Sequence, residues 1–133
     1  MSDKQIISLV TGGSGFVGSY ICEYLLARGQ KVICIDNLVT GSKSNISHLM
    51  SHPDFKMVAH DIIQPTYLDE IIEEKIESVD FVYHFAALAD LDFATTRPLE
   101  TAKINIMGTI NALQVSKDHR VKRFIHASSI YAN

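Results

Sequence analysis

The chain has 133 residues, of which 47% are hydrophobic and 20% are charged, and its formal net charge is −3 at pH 7. This composition is that of an ordinary globular domain and excludes disordered and fibrous chains. Acidic and basic residues are interspersed along the sequence, so we do not expect nucleic acid as a partner.

The termini and the cysteines indicate a protein of the cytoplasm. Cys22 and Cys34 lie in apolar segments and form no CxxC motif, which favours reduced thiols. The apolar stretch before Gly12 has only about five residues, too few for a signal peptide or a membrane span. We therefore expect a cytoplasmic protein that does not bind a membrane.

Short apolar segments alternate with helical patterns along the whole chain. The segments are rich in β-branched and aromatic residues, as is typical of strands buried on both faces of a parallel sheet. The predicted strands are 5–11, 31–36, 55–61, 80–86 and 123–128. This alternation predicts an α/β fold with a doubly wound, Rossmann-like parallel sheet of about five strands in the order 3-2-1-4-5, with helices on both faces. The fifth strand would lie at an open edge.

Three helices are predicted between these strands, over residues 16–28, 67–76 and 97–118. Each carries apolar residues at helical spacing. In the first helix these residues are Val17, Ile21, Tyr24 and Leu25. In the second they are Leu68, Ile71 and Ile72, and in the third they are Ile104, Met107, Ile110, Leu113 and Val115.

The first predicted turn between a strand and a helix contains Gly12, Gly15 and Gly18 in a GxxGxxG pattern. Ligands of doubly wound sheets bind at this turn, where glycines permit a tight bend and a close approach to the backbone. The free amides at the start of the helix attract a pyrophosphate. The turn lacks the Gly-Lys-Ser/Thr of a nucleoside-triphosphate loop, and Phe16 replaces the last glycine of a hydrolase GxSxG elbow. We therefore predict a dinucleotide site.

Asp36 indicates which dinucleotide binds. It ends the second predicted strand, 18 residues after Gly18, where a carboxylate accepts hydrogen bonds from the hydroxyls of the adenosine ribose. The segment DNLVTGSKSN offers only Lys43 as a cation for a 2'-phosphate, so NAD is favoured over NADP. The alternative for Asp36 is a solvated aspartate in a turn.

A metal site is not expected. His48 and His52 form an HxxxH pattern, but Leu49 and Met50 occupy the positions where a zinc protease has its glutamate, and Pro53 follows directly.

Six motifs occur in order along the chain: TGGSGFVG, DNLVTGSKSNI, HDI (60–62), HFAAL (84–88), the region of Asn105, and ASS (127–129). Together they resemble the extended short-chain dehydrogenase/reductase family, and within it the NAD-dependent nucleotide-sugar epimerases, dehydratases and decarboxylases. The resemblance covers nearly the whole chain. It implies NAD as the cofactor and a nucleotide sugar as the substrate of the full-length enzyme.

The resemblance also implies roles for individual residues. The amides of Phe16 and Val17 would meet the pyrophosphate, while Asp36 and Asn37 would hold the adenosine ribose. Asp61 and Ile62 would flank the adenine. The cofactor would also be lined, after the fourth strand, by Phe85, Ala86 and Ala87.

Two further residues are implied at the far side of the site. Asn105 would support the cofactor side of the site, its alternative being a hydrogen bond to a neighbouring backbone group. Ser129 would be the catalytic serine that hydrogen-bonds the reacting oxygen of the substrate. Ser128 takes that role if the alignment is shifted by one residue.

One departure from the family limits what this chain does alone. Relatives continue past the serine into a helix with Tyr-x-x-x-Lys, in which the lysine lowers the pKa of a tyrosine that acts as base or acid. In this chain no tyrosine is followed by lysine at that spacing. We therefore expect residues 1–133 to be the NAD-binding domain of a longer nucleotide-sugar enzyme, truncated before that helix and the substrate-binding region, which binds NAD without turnover. The alternative is a free-standing dinucleotide-binding or interaction module without catalytic activity.

The longest predicted helix, 97–118, has a further implication. In full-length relatives the corresponding helix commonly forms part of a dimer interface, so the resemblance implies a homodimer.

Overall fold

The computed structural model describes residues 4–129. Five strands form one parallel sheet in the order β3-β2-β1-β4-β5, which confirms the predicted fold class and strand order. The strands are β1 (Ile7–Thr11), β2 (Lys31–Asp36), β3 (Phe55–Ala59), β4 (Phe81–His84) and β5 (Arg123–His126). Thr11 lies opposite both Ile35 and His84, so the carboxyl ends of the three central strands meet at one edge of the sheet.

The helices are α1 (Phe16–Ala27), α2 (Leu68–Ile72), α3 (Leu91–Thr96), α4 (Pro98–Ala102) and α5 (Gly108–Asp118). A π-helical turn, Lys103–Met107, joins α4 to α5. Two 3₁₀ turns, Lys43–Asn45 and Ser47–Leu49, follow β2.

The core consists of one apolar cluster on each face of the sheet. Successive residues of β1 alternate between them, with Leu9 in the cluster beneath α2 and α5 and Val10 in the cluster beneath α1. In β2, Ile33 likewise lies in the cluster beneath α2 and α5, and Cys34 lies in the cluster beneath α1. All four side chains are fully buried. This burial on both faces explains why the central strands have continuous apolar sequences.

The face of α1 that packs on the sheet differs from the predicted stripe. The buried residues of α1 are Gly18, Ser19, Cys22, Leu25 and Leu26. Val17 is 53% exposed and Tyr24 is 52% exposed, so the prediction was wrong for these two residues. The close contact of Gly18 with the preceding turn sets the rotation of the helix. Because Gly18 and Leu25 face the sheet, Val17 and Tyr24, one position earlier in each case, point outward.

The long predicted helix 97–118 also differs from expectation. It is interrupted by the π-helical turn, and α5 packs on the sheet through small residues, Gly108 and Ala112, together with Val115. Ile110 is 50% exposed and Leu113 is 48% exposed. A Cβ atom added to Gly108 would lie 2.9 Å from Cγ2 of Ile62. The helix therefore approaches the loop after β3 too closely for a side chain at position 108.

Two smaller differences concern short helices. The predicted helix 67–76 ends at Ile72 because Glu73 takes a left-handed conformation with φ of 55°. The Ile76 amide then donates to Oδ1 of Asp69 at 2.7 Å instead of continuing the helix. Helix α3 was not predicted, and its residues are only partly buried or exposed.

The contact at Gly18 leads to a stability prediction. A Cβ atom at Gly18 would overlap the carbonyl oxygen of Gly12 and lie 2.8 Å from Cα of Gly13. Because both atoms belong to the backbone, we expect Gly18→Ala to lower the free energy of unfolding by about 2–4 kcal/mol, despite a gain of about 1 kcal/mol in helix propensity. Urea denaturation measures this change.

Gly15→Ala is the matched control, since a Cβ atom there meets only the Gly12 carbonyl oxygen, at 3.3 Å, and φ of Gly15 is −77°. We expect it to change the free energy of unfolding by less than about 1 kcal/mol. Equal losses in the two variants would contradict the close contact at Gly18.

Candidate functional site

The turn between β1 and α1 brings three backbone segments together. Gly12 has φ of +70°, and its amide donates to the Ile35 carbonyl at 2.8 Å. A Cβ atom at Gly12 would lie 2.7 Å from the amide nitrogen of Ala86. The turn is therefore packed against both β2 and the loop that follows β4, and any residue with a side chain at this position would separate them.

The amino terminus of α1 presents unpaired amides. The first helical hydrogen bond runs from the Ser19 amide to the Gly15 carbonyl at 3.0 Å. The preceding amides, those of Phe16, Val17 and Gly18, have no acceptor among residues 4–129. No acidic side chain occupies the first turn. This arrangement favours an anion at the start of the helix.

A cavity of about 680 Å³ lies in front of these amides, at the carboxyl ends of the strands. This volume is within the range of about 300–1,000 Å³ that ligand sites occupy. Twelve of the predicted site residues line it: Gly12, Gly15, Phe16, Val17, Gly18, Asp36, Asn37, Asp61, Ile62, Phe85, Ala86 and Ala87. Gly15 has little beside its Cα atom, so a ligand is able to approach the backbone there.

Asn105 and Ser129 are not among the described residues that line the cavity. Ser128, the alternative to Ser129, does line it. The Asn105 side chain instead pairs with both backbone groups of Leu88: Oδ1 accepts from the Leu88 amide at 2.8 Å, and Nδ2 donates to the Leu88 carbonyl at 3.0 Å. Because Leu88 itself lines the cavity, Asn105 acts on the site through the backbone that it holds.

The Asp36 carboxylate is buried, with 8% of the residue exposed, so the alternative of a solvated aspartate was wrong. Oδ2 accepts from the Ser14 amide at 3.0 Å, and Oδ1 accepts from the Leu38 amide at 2.7 Å. Leu38 has φ of 64°. A carboxylate oxygen accepts more than one hydrogen bond, so Asp36 fixes the glycine-rich turn and retains acceptor capacity at the cavity.

The sequence patterns did not reveal two polar residues, one that supports a wall of the cavity and one that lines it. Asn111 of α5 donates through Nδ2 to the Ile62 carbonyl at 2.7 Å and to the Gln64 carbonyl at 3.0 Å, which holds the loop after β3. Arg97 is the only lysine or arginine that lines the cavity in the described part of the chain. Its guanidinium lies 3.4 Å from the Glu100 carboxylate. Nothing in the local sequence marks either residue, because their roles depend on the placement of the long helix.

The two cysteines, 12 positions apart in sequence, meet beneath the glycine-rich turn. A Cβ atom at Gly13 would overlap Sγ of Cys34 and lie 3.1 Å from Sγ of Cys22. A hydrogen bond with the Cys22 thiol, together with burial, raises the pKa of Cys34 above its ordinary value. Both side chains are free, buried thiols.

Residues 4–129 contain no cluster of three or more His, Cys, Asp or Glu side chains that would hold a metal ion. His48 contacts Glu23 at 3.2 Å, and Nδ1 of His52 accepts from the Asp54 amide at 3.1 Å. Over the same residues, no helix has the length and apolar character needed to cross a membrane.

The chain is similar to known proteins in sequence and in fold. The chain is 41% identical over 114 residues to UDP-glucuronic acid decarboxylase 1 of Arabidopsis thaliana. The aligned region covers 86% of this chain and 24% of the decarboxylase. It thus spans about a quarter of the length of that curated relative. The UDP-N-acetylglucosamine 4-epimerase of Methanobrevibacter ruminantium M1 superposes with a TM-score of 0.83 and 30% identity, over 96% of this chain and 39% of the epimerase.

A second solved structure is UDP-glucose 4-epimerase of Thermus thermophilus in complex with NAD. It superposes with a TM-score of 0.78 and 31% identity, over 93% of this chain and 38% of the epimerase. Residues 8–133 match the sequence model of one protein family. Because that match runs from β1 to the last residue of the sequence, the chain belongs to the NAD dependent epimerase/dehydratase family.

Proposed function

We propose that residues 1–133 form the NAD-binding domain of an enzyme that acts on a nucleotide sugar as an epimerase, a dehydratase or a decarboxylase. The observation that carries this proposal is the cavity, in which unpaired amides at the start of α1 and the buried carboxylate of Asp36 line the same space. The names of the similar proteins, a UDP-glucuronic acid decarboxylase and two UDP-sugar 4-epimerases, support the substrate class.

The residues present fit a dinucleotide. Gly15 leaves room for a pyrophosphate, and the amides of Phe16 and Val17 would donate to its oxygens. Asp36 and Asn37 would accept hydrogen bonds from the hydroxyls of the adenosine ribose. On the other side of the cavity, the adenine would lie between Asp61 and Ile62, and the backbone from Phe85 to Ala87 would line the rest of the cofactor.

Bound NAD supplies a reversible acceptor for a hydride from a sugar carbon. We assign to Ser129 the orientation of the reacting sugar oxygen by hydrogen bonding, with Ser128 as the alternative. The 133 residues contain no tyrosine followed by lysine at the spacing of the family's acid and base. We therefore propose that this chain by itself binds NAD without turning over a sugar. Its free cysteines support a reducing compartment, the cytoplasm.

Calorimetric titration of the chain with NAD and NADP tests the cofactor site. We expect NAD to bind with a dissociation constant of about 1 µM or weaker, because only part of the contact surface of a full-length enzyme is present. NADP should bind at least about tenfold more weakly, since its 2'-phosphate meets the Asp36 carboxylate. In Asp36→Asn the difference between the two cofactors should largely vanish.

Asp118→Asn is the control, since Asp118 lies at the far end of α5 and its carboxylate accepts from Gln114. It should leave both affinities unchanged. A low-nanomolar dissociation constant would contradict weak binding. Equal affinities of the native chain for NAD and NADP would contradict the role of Asp36.

We also propose that the chain forms a homodimer through the long helix. Ile106, Ile110 and Leu113 are spaced by four and three residues, and each is about half exposed, at 60%, 50% and 48%. An apolar helical face of this kind, not covered by other described residues, supports association with the same face of a second copy.

Sedimentation equilibrium tests the proposed dimer. We expect the native chain to self-associate at micromolar concentration and Ile110→Lys to be monomeric, because the substitution puts a charge at the centre of the apolar face. Glu70→Lys, a charge change at an exposed position of α2 and outside this face, should leave the association constant within about threefold. A native chain that stays monomeric at about 100 µM would contradict the proposal.

A further inference from the structure

We infer that His84 is a positioning residue, whose neutral imidazole acts through the hydroxyls of Thr11 and Thr109 to hold the loop after β4 in the shape that lines the cavity. The inference rests on the proposed function only in that the cavity is taken as the NAD site. The hydrogen bonds that carry it are present in the chain itself.

His84 is the last residue of β4, and only 3% of it is exposed. Its Nδ1 atom lies 2.6 Å from Oγ1 of Thr11, the last residue of β1. Its Nε2 atom lies 3.1 Å from Oγ1 of Thr109 on α5. On the β5 side, the ring lies 5.7 Å from the ring of His126 and 5.8 Å from that of Phe124. One imidazole therefore joins two neighbouring strands to the helix.

The partners of the two threonines assign the hydrogens. The Thr109 hydroxyl donates to the Asn105 carbonyl at 2.7 Å, so its oxygen accepts from His84, and Nε2 must carry the ring hydrogen. In the neutral ring Nδ1 is then an acceptor. The Thr11 hydroxyl donates to it, which leaves the Thr11 oxygen to accept from the Ala86 amide at 3.2 Å. Every donor in this chain of hydrogen bonds thus faces an acceptor, and no hydrogen is shared between two donors.

This chain of hydrogen bonds ends on the loop that lines the cavity. Ala86 is held by Thr11, and Leu88, two residues on, is held by Asn105 through its amide and its carbonyl. His84 links the two attachments, since it contacts Thr11 directly and reaches Asn105 through Thr109. Because Ala86 also packs against Gly12, a shift of this loop would displace the glycine-rich turn as well.

The network requires the neutral ring. If Nδ1 carried a hydrogen, the Thr11 oxygen would have to accept from both His84 and Ala86. The hydroxyl hydrogen of Thr11 would then lose Nδ1 as its acceptor. Burial, with a smaller effect from His126, lowers the pKa of His84 to about 4. The contacts from β1 and α5 are threonine hydroxyls, which do not titrate, so His126 of β5 is the titratable group that faces the ring.

NMR of the 133-residue chain without NAD tests the assignment of the hydrogens. We expect the ¹⁵N shifts of His84 to report a protonated Nε2 and a bare Nδ1 at pH 7, with titration near pH 4. His84→Phe identifies the signals. A hydrogen on Nδ1, or a midpoint near 6.5, would overturn the inference.

Variants of Thr11 and His84 test the positioning role. Thr11→Val and His84→Phe remove the hydrogen bonds at similar volume, so we expect amide exchange at Ala86 to accelerate about tenfold and NAD to bind about tenfold more weakly. Thr11→Ser keeps the hydroxyl, and His84→Asn keeps an acceptor toward Thr11. In these two variants, the exchange rate at Ala86 and the affinity for NAD should therefore be closer to the native values than in Thr11→Val and His84→Phe. Thr95→Val is the control, since its hydroxyl donates only to the Leu91 carbonyl within α3.

Circular dichroism and urea denaturation establish which variants fold. Unchanged exchange at Ala86 in a folded Thr11→Val or His84→Phe chain would overturn the inference. If either variant does not fold, exchange at Ala86 is compared between the native chain and His84→Asn, which loses the Nε2 contact with Thr109. Faster exchange in His84→Asn supports the inference, and exchange that is equal or slower overturns it. If the native chain does not bind NAD, the proposed function fails, while the exchange rates and the ¹⁵N shifts still decide the role of His84.

The lowered pKa also predicts a pH dependence of stability. The unfolded chain takes up a proton on His84 below about pH 6.5, whereas the folded chain resists it until about pH 4. The contribution of neutral His84 is therefore complete above pH 6.5 and is lost as the pH falls toward 4. In urea denaturation, the native chain should lose more stability over this interval than His84→Phe does. Parallel curves for the two chains would contradict the shift.

Discussion

The candidate site depends on a backbone contact at Gly12. There the turn after β1 touches the first turn of α1 on one side and the loop after β4 on the other, at distances that leave no room for a Cβ atom. This contact sets the rotation of α1, which explains why Val17 points outward and why the first amides of the helix line the cavity. A packing constraint among three backbones thus creates the anion-binding end of the site.

The other boundary of the cavity is set by side chains that bind backbone groups. Asn105, Thr109 and Asn111 lie within two turns of one helix and reach two strand ends. Asn105 and Thr109 contact Leu88 and His84 at the end of β4, and Asn111 contacts Ile62 after β3. Gly108 lies among them and lets the helix approach Ile62. Hydrogen bonds between such partly buried side chains and loop backbone fix the position of a loop, since their geometry is directional.

Local patterns in the sequence were sufficient for the sheet and for one part of the candidate site. Alternation of apolar segments and helices predicted the strand order, and the GxxGxxG turn and Asp36 were identified from their spacing. The predicted residues from the loops after β3 and β4 came from the resemblance to a known family, and they line the same cavity. Hydrophobic periodicity failed for the packed faces of α1 and α5, because the residues at the closest contacts are glycine, alanine and serine. An apolar stripe on the outer face then has the same pattern as a buried one.

The links through Thr11 and His84 were beyond sequence reasoning for a different reason. The two residues are 73 positions apart, and only the register of β1 against β4 makes them neighbours. The early end of α2 depends on one left-handed residue, Glu73, whose conformation no single-sequence pattern marks. Predictions from sequence therefore succeeded where the determinant is local and missed contacts that arise from strand register or helix rotation.

The π-helical turn between α4 and α5 has a consequence for how this helix tolerates changes in length. A π turn holds about one residue more than an α turn of similar rise, and each residue of an α-helix advances the rotation by about 100°. Arg97 and Glu100 precede the turn and line the cavity, whereas Gly108 and Ala112 follow it and are buried. Deletion of one residue from 103–107 would convert the π turn to an α turn and rotate these two sets against each other. The number of residues in this turn therefore sets which side chains face the cavity and which face the sheet side, a constraint that is separate from the role of the Asn105 side chain.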